Sequence, residues 1–232
     1  MDLAHNGVLR AICANRSPAR ERHNSSMQDG LLPLFPLQVV LLPGSQLPLH
    51  IFEDRYKEMI GEVLRDKLEF GVVLASDQGI VNTGCTAAVD RVLRQYPDGR
   101  LDILTRGRRR FEILLLNEER SFLRGAVEFF DDDEPPAGQV EPAVPDLLKN
   151  MIAFSQVPMD PEASDPRLSF RLAQDVPDLG FRQTLLTMRS EAERMRRIAD
   201  FLPGYLERRR KVQHTKDVAG SNGHGRKPEE PA

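Results

Sequence analysis

Tryptophan is absent from the 232-residue chain, and cysteine occurs only at Cys13 and Cys85. Two cysteines cannot build a disulfide framework, so a reducing compartment and a cytoplasmic location are expected. Long apolar runs are missing as well. The richest stretch, residues 31–49, is broken by Pro33, Pro36, Pro43 and Pro48 and never reaches the roughly 20 uninterrupted residues of a bilayer span. No membrane association is expected. Residues 1–29 hold no apolar run of the secretory-signal type. An excess of basic charge is lacking too: the net charge is -3, and the parts 30–131 and 141–206 each carry two more acidic than basic residues. A nucleic-acid binder shows a basic footprint on its folded part, so nucleic acid is not the expected partner.

What is present fits a globular chain, with 40% hydrophobic and 29% charged residues. Residues 1–29 lack periodicity and read as a disordered leader. Patterning starts at Leu31, just after Met27, which makes Met27 an alternative to Met1 as the natural start. From 30 to 131 short apolar or alternating runs recur between turn residues: Val39 to Leu42, Leu47 to Phe52, Phe70 to Ala75, Thr86 to Gln95, Leu101 to Thr105, Arg110 to Leu116 and Phe122 to Phe130. Tyr96-Pro97-Asp98-Gly99-Arg100 joins two of them as a hairpin, with Gly99 free to take positive φ. One helix interrupts the strands, because Tyr56, Met59, Ile60, Val63 and Leu64 recur every three or four residues after the acidic pair Glu53-Asp54.

Residues 132–140 are acidic and then rich in Pro and Gly, the composition of a linker. In 141–206 the period becomes helical: Leu147, Leu148, Met151 and Ile152 share one face, and Leu168 and Leu172 another. Ser190-Glu191-Ala192-Glu193 has the form of a capping box. It opens a helix with the seam Met188, Ala192, Met195, Ala199 and Leu202, which Pro203-Gly204 is expected to end or kink. Residues 207–232 read as a disordered, basic tail. The fold class is α+β: a small barrel, mostly of antiparallel strands with one inserted helix, followed by a helical bundle.

The stretch LLPLFPLQVVLLPGSQLPLHIFEDRY, from Leu31 to Tyr56, resembles the opening of the Lon protease N-terminal, or substrate-binding, domain. The likeness continues through Asn82-Thr83-Gly84-Cys85-Thr86-Ala87-Ala88-Val89, the Pro-Asp-Gly hairpin, and the Gly107, Arg110 and Phe111 pattern. It then runs through Phe122 to Phe130, Arg171-Leu172-Ala173, Arg182-Gln183-Thr184-Leu185-Leu186 and Glu193-Arg194-Met195, and ends near Leu206. The resemblance implies a PUA-like β-barrel followed by a helical bundle. In it Gly84, Gly107, Arg110 and Phe111 are structural motif positions. It further implies a non-enzymatic, cofactor-free module that binds exposed hydrophobic segments of misfolded or regulatory proteins, alone or with a Lon-type protease as an adaptor's partner. Full-length Lon proteases carry a G-x-x-x-x-G-K-[ST] phosphate loop. Here none of the lysines, Lys57, Lys67, Lys149, Lys211, Lys216 and Lys227, follows a glycine, and a stand-alone recognition domain is expected.

Cys85 with His50 as base, or Ser45, would make a hydrolase, but a cysteine after the Gly84 turn reads as a small core residue. His50 and Glu53 offer too few ligands for a metal, and none is expected. Asp131 to Glu134 lack a frame to fix a cation and read as a solvated linker. Arg106 to Arg110 could serve RNA, which leaves an RNA-binding or nucleotide-binding PUA-like protein as the alternative function, yet strand alternation sends these arginines to both faces. The expected peptide-binding surface is the Pro-Gly turn and the strand after it: Pro43, Gly44, Leu47, Pro48 and Leu49, with one of Leu47 and Leu49 exposed and the other in the core. The purified chain is expected to release no phosphate from ATP and to leave casein intact. Turnover of either, in a preparation free of endogenous protease, would contradict this reading.

Overall fold

The computed structural model describes residues 30–134 and 167–221. The expected leader, linker positions 135–140, the helix carrying Leu147 and Met151, and the end of the tail lie outside the described residues. The strands are β1 (Leu32–Leu37), β2 (Gln46–Ile51), β3 (Phe70–Ser76), β4 (Gly79–Gln95), β5 (Leu101–Asn117) and β6 (Arg124–Phe130). Helix α1 (Asp54–Asp66) separates β2 from β3, and α2 (Leu168–Ala173), α3 (Leu179–Thr187) and α4 (Glu191–Ser221) follow the barrel.

The length of β5 makes the barrel. One edge of β5 pairs with β4, while its other edge pairs first with β2, over 101–106, and then with β6, over 110–117. Because β6 also pairs with β1, the order β5-β4-β3-β1-β6 returns to β5 and closes a ring, with β2 attached outside it. Every pairing is antiparallel except β1 with β3. Between the two partners, Gly107 donates to the Ser45 carbonyl and accepts from Gly44 N–H, both at 2.9 Å. A Cβ on Gly107 would lie 2.3 Å from the Leu42 carbonyl oxygen, so only glycine lets the 42–45 turn approach. Gly84 has the same role inside the ring. Its missing Cβ makes room for the Phe111 ring, whose Cζ would otherwise be 2.5 Å away, within a small cluster of Leu32, Leu34 and Val73.

The opposite face of the sheet carries the main core. Tyr56, Met59, Ile60 and Val63 of α1 bury the stripe read from their spacing, and they join Phe35, Val72, Cys85, Ala87 and Ile103. The later helices enter the same cluster through Phe170, Leu172, Phe181, Leu185, Leu186, Met195, Ile198 and Leu202. Asp178 caps α3 by accepting from Phe181 N–H at 2.9 Å, and Ser190 caps α4 by accepting from Glu193 N–H at 3.3 Å. Arg182 and Gln183 of α3 reach back to the barrel carbonyls of Val40 and Thr83.

Three expectations need correction. Val39 to Leu42 is a buried loop rather than a strand, while β1 forms earlier despite Pro33 and Pro36. The strand tolerates both because Leu34 donates to the Leu123 carbonyl on the β6 side, which puts the Pro36 nitrogen on that side beyond the two-pair ladder and the Pro33 nitrogen on the β3 side before that ladder begins at Leu34. Helix α4 neither ends nor breaks at Pro203-Gly204 but runs on to Ser221, into the expected tail. The Asp131 to Glu134 stretch is not a solvated linker throughout, because Asp132 lies between two buried arginines.

Arg110 of β5 donates to Asp132 Oδ1 at 2.5 Å and to the Met188 and Leu186 carbonyls at the end of α3. Arg194 of α4 has no exposed side-chain surface. It grips both Asp132 oxygens, bonds Ser169 Oγ at 2.8 Å and the Met188 carbonyl at 2.8 Å, and pairs with Glu191. Two cations thus face two anions, and both guanidinium groups lie over the Phe170 ring, at 5.5 and 4.4 Å. Burial alone would raise the Asp132 carboxyl, but the hydrogen bonds and charges of Arg194 and Arg110 outweigh it and hold that group below the usual carboxylate range.

Two predictions follow from this packing. Gly107→Ala should destabilise the chain by about 1 to 3 kcal/mol or more through overpacking against backbone, whereas Gly61→Ala on the open side of α1 should stabilise it by up to about 1 kcal/mol, as read by urea unfolding. Asp132→Ala should cost about 3 to 5 kcal/mol, since it leaves Arg110 and Arg194 buried with one anion fewer. A carboxyl depressed in the folded state stabilises above its unfolded value and loses that contribution on acidification. The gap between wild type and Asp132→Ala in thermal melts should therefore be full near neutrality and narrow below about pH 4.

Candidate functional site

Strand alternation divides the peptide surface expected from the sequence. Leu47 and Leu49 face the same way, half-buried and packed against the main core, and Thr105 Oγ1 donates to the Leu47 carbonyl at 2.8 Å. Neither is the exposed member of a pair. Pro43 is buried and Gly44 is tied to Gly107, which leaves Pro48 as the exposed residue of the five. Among the described residues β2 pairs with β5 alone, so its other edge has no strand partner there. A proline in a paired strand points its nitrogen away from the partner, so this edge lacks a donor at Pro48 and is a poor template for an added strand.

The outer face of β2 carries charge and aromatic rings. Asp102 accepts from Tyr96 Oη–H at 2.8 Å and lies 2.5 Å from His50 Nδ1, and these contacts hold its carboxyl low. Cys85 is remote from this group. It pairs with Arg110, eight positions along β5 from the Asp102 that faces His50, and burial pushes its thiol up to about 12. The structure thus brings the His50 base nowhere near Cys85 and favours the protonated thiol over a nucleophilic thiolate. Ser45 is buried as well, with an Oγ that bonds no other group among the described residues. Glu53 is engaged by Arg55 at 2.7 Å, and no group of three or more His, Cys, Asp or Glu among the described residues is arranged to hold a metal ion.

The basic run of β5 is neutralised residue by residue. Arg106 and Arg108 share Asp90 at 2.9 and 3.7 Å, Arg109 faces Glu69 at 3.6 Å, and Arg110 belongs to the Asp132 clamp. An RNA backbone would meet no unpaired row of cations here.

One exposed apolar surface lies at the other end of β5. Leu114, Leu115 and Leu116 are 65%, 67% and 41% exposed, and Phe129 on the paired strand β6 is 39% exposed. The register shifts between Ile113 and Leu115 against Val127 and Ala126, so a bulge at Leu114 breaks the alternation that would have put Leu115 on the same face as Ile113. Arg109 lies over the Phe129 ring at 3.9 Å and covers one side of the patch. Exposed apolar side chains grouped in this way can mark interaction surfaces, and the three consecutive leucines are the candidate here. Sequence reading missed the site, although three leucines in a row on an alternating strand were the available signal.

Comparison with known proteins agrees with this architecture. A model of the ATP-dependent protease La (LON) substrate-binding domain matches residues 31–218. The Lon protease of Parabacteroides distasonis is 32% identical over 113 residues, which cover 45% of this chain and 14% of that protein. Lon protease 1 of Hydrogenovibrio crunogenus is 28% identical over 104 residues, covering 41% of this chain and 13% of that protein. The chain thus spans about one seventh of the length of these curated relatives, and the region matched is the substrate-binding domain and not a catalytic one. The crystal structure of a Lon N-terminal domain protein from Xanthomonas campestris superposes with a TM-score of 0.58 at 27% identity, covering 75% of this chain and 99% of that one. The N-terminal domain of the Mycobacterium avium complex Lon protease gives 0.54 at 19% identity, covering 73% and 96%, and supports the fold alone. With the match spanning both barrel and helices, the chain belongs to the LON substrate-binding domain family.

Proposed function

We propose that this chain is a non-catalytic protein-recognition module that captures exposed hydrophobic segments of unfolded or regulatory proteins in the cytoplasm. The observation that carries the reading is the Leu114-Leu115-Leu116 patch with Phe129, held on a rigid barrel strand in a member of a substrate-binding family. Broad client tolerance needs contacts that reward burial without demanding one sequence, and aliphatic side chains supply them. The surface expected at Pro43 to Leu49 serves this role less well, because Leu47 and Leu49 already face the core.

The same geometry is compatible with an adaptor role. A module that holds a client on one flank of its barrel leaves the rest of its surface free for a second protein, and a Lon-type protease is the partner the family points to. No helix among the described residues is long and apolar enough to cross a membrane, so a membrane-spanning helix plays no part in this reading.

Leu115→Glu should weaken binding of a labelled unfolded client at least about tenfold while leaving the circular dichroism and the melting temperature close to wild type, because that side chain is two-thirds in solvent. Raising salt should change wild-type affinity little, since the contacts are apolar. Unchanged affinity in a folded Leu115→Glu variant would remove the patch from consideration.

A further inference from the structure

A second group of exposed apolar side chains lies along the first half of β5, on the outer face of the β2-β5-β4 sheet. Register places it: Pro48, Leu104 and Arg91 form one cross-strand row, and His50, Asp102 and Arg94 form the next. Alternation adds Phe52, which is 58% exposed and stacked on the His50 ring at 5.9 Å. The shift between Val92 and Arg94 leaves Leu93 in a bulge without a cross-strand partner, 51% exposed. The cations of this face divide into used and unused. Arg100 bonds Asp98 at 2.7 Å and Arg106 bonds Asp90 at 2.9 Å, whereas Arg91 and Arg94 make no ion pair among the described residues. Arg94 lies over the Tyr96 ring at 4.5 Å, and Tyr96 meets His50 edge-on at 6.0 Å. Asp102 is the one carboxylate in the two rows, and both its oxygens are engaged, by His50 Nδ1 at 2.5 Å and by Tyr96 Oη–H at 2.8 Å.

We propose that this face binds an acidic segment of a second protein, with Arg91 and Arg94 each taking a carboxylate and Leu93, Leu104, Pro48 and Phe52 covering the apolar side chain between them. Two arginines in adjacent rows of one strand, with a bulged leucine between them, match carboxylates that flank an aliphatic residue. Arginine and aromatic rings are also the side chains that interface cores favour. Counted over the two rows, Arg91 and Arg94 outnumber Asp102, whose charge is already met by His50 and Tyr96. Two unpaired cations beside an aliphatic row are too few for a nucleic-acid backbone, which needs a run of phosphate contacts. The inference rests on the adaptor reading and deepens it, because the second protein gains a face of its own. That face lies roughly 35 Å along β5 from Leu115, so both partners can be held at once.

The test is fluorescence anisotropy on the full chain with labelled peptides that differ only in their central residues: Glu-Leu-Glu, Gln-Leu-Gln and Glu-Ser-Glu. The Glu-Leu-Glu peptide should bind at least about tenfold more tightly than the other two. Raising salt from about 50 to about 500 mM should weaken it severalfold, unlike client binding at the leucine patch. The double variant Arg91→Gln with Arg94→Gln should lose at least about tenfold while keeping the wild-type melting temperature, because both side chains are exposed. Equal affinity for the Glu-Leu-Glu and Gln-Leu-Gln peptides, or full affinity in the folded double variant, would overturn the inference. So would displacement of the peptide by an equimolar uridine oligonucleotide, which would assign the face to RNA. Leu115→Glu should leave this binding unchanged, and the double variant should leave unfolded-client binding unchanged. Failure of this face and failure of the client-recognition reading therefore give different patterns.

Discussion

Asp132 between Arg110 and Arg194 is the contact on which the rest of this fold depends. It joins three distant parts of the chain: the middle of β5, a residue just past the last strand, and the first turn of the longest described helix. Each charge is expensive to bury alone, and each is tolerable because the others are present. The clamp therefore couples barrel and helices: removing one member exposes the remaining charges to a low-dielectric setting they cannot leave without parting the two layers. A core that includes Leu185, Leu186, Met195 and Ile198 on one side and Cys85 and Ala87 on the other is assembled around that point.

The same strand that carries Arg110 also closes the barrel and displays the candidate site. Its first half holds β2 and its second half β6, and Gly107 lies at the handover with the 42–45 turn pressed against it. Beyond Phe111, which fills the small inner cluster under Gly84, the bulge at Leu114 turns apolar side chains outward. Closure, helix docking and the exposed leucines are thus successive stretches of one strand. A rigid strand presents such a patch without the ordering cost that a flexible loop would incur on binding.

Local patterns in the sequence were reliable guides where a local cause decides the outcome. The spacing of Tyr56, Met59, Ile60 and Val63 specifies α1, the Ser190 cap starts α4, and the hairpin at Gly99 closes as its residues demand, with φ of 84°. Patterns failed where a distant partner decides. Asp132 looks like part of a solvated acidic run until Arg194, 62 residues away, comes to meet it. At the site, Leu47 and Leu49 drew attention as surplus apolar residues although period-two alternation puts them on one face, and the outward turn of Leu114 to Leu116 depends on a register shift that no propensity encodes.

A recognition module of this design separates what it must hold fixed from what it must leave adaptable. Buried charge, close-packed glycines and the inner Phe111 cluster fix the barrel, while the surface proposed for clients is made of exposed aliphatic groups. Methyl-resolved NMR on leucine-labelled protein, titrated with an unfolded client, tests that assignment most directly. Shifts concentrated on Leu114, Leu115 and Leu116, with Leu47 and Leu49 unmoved, are expected. Shifts at Leu47 and Leu49 with the three exposed leucines silent would contradict it.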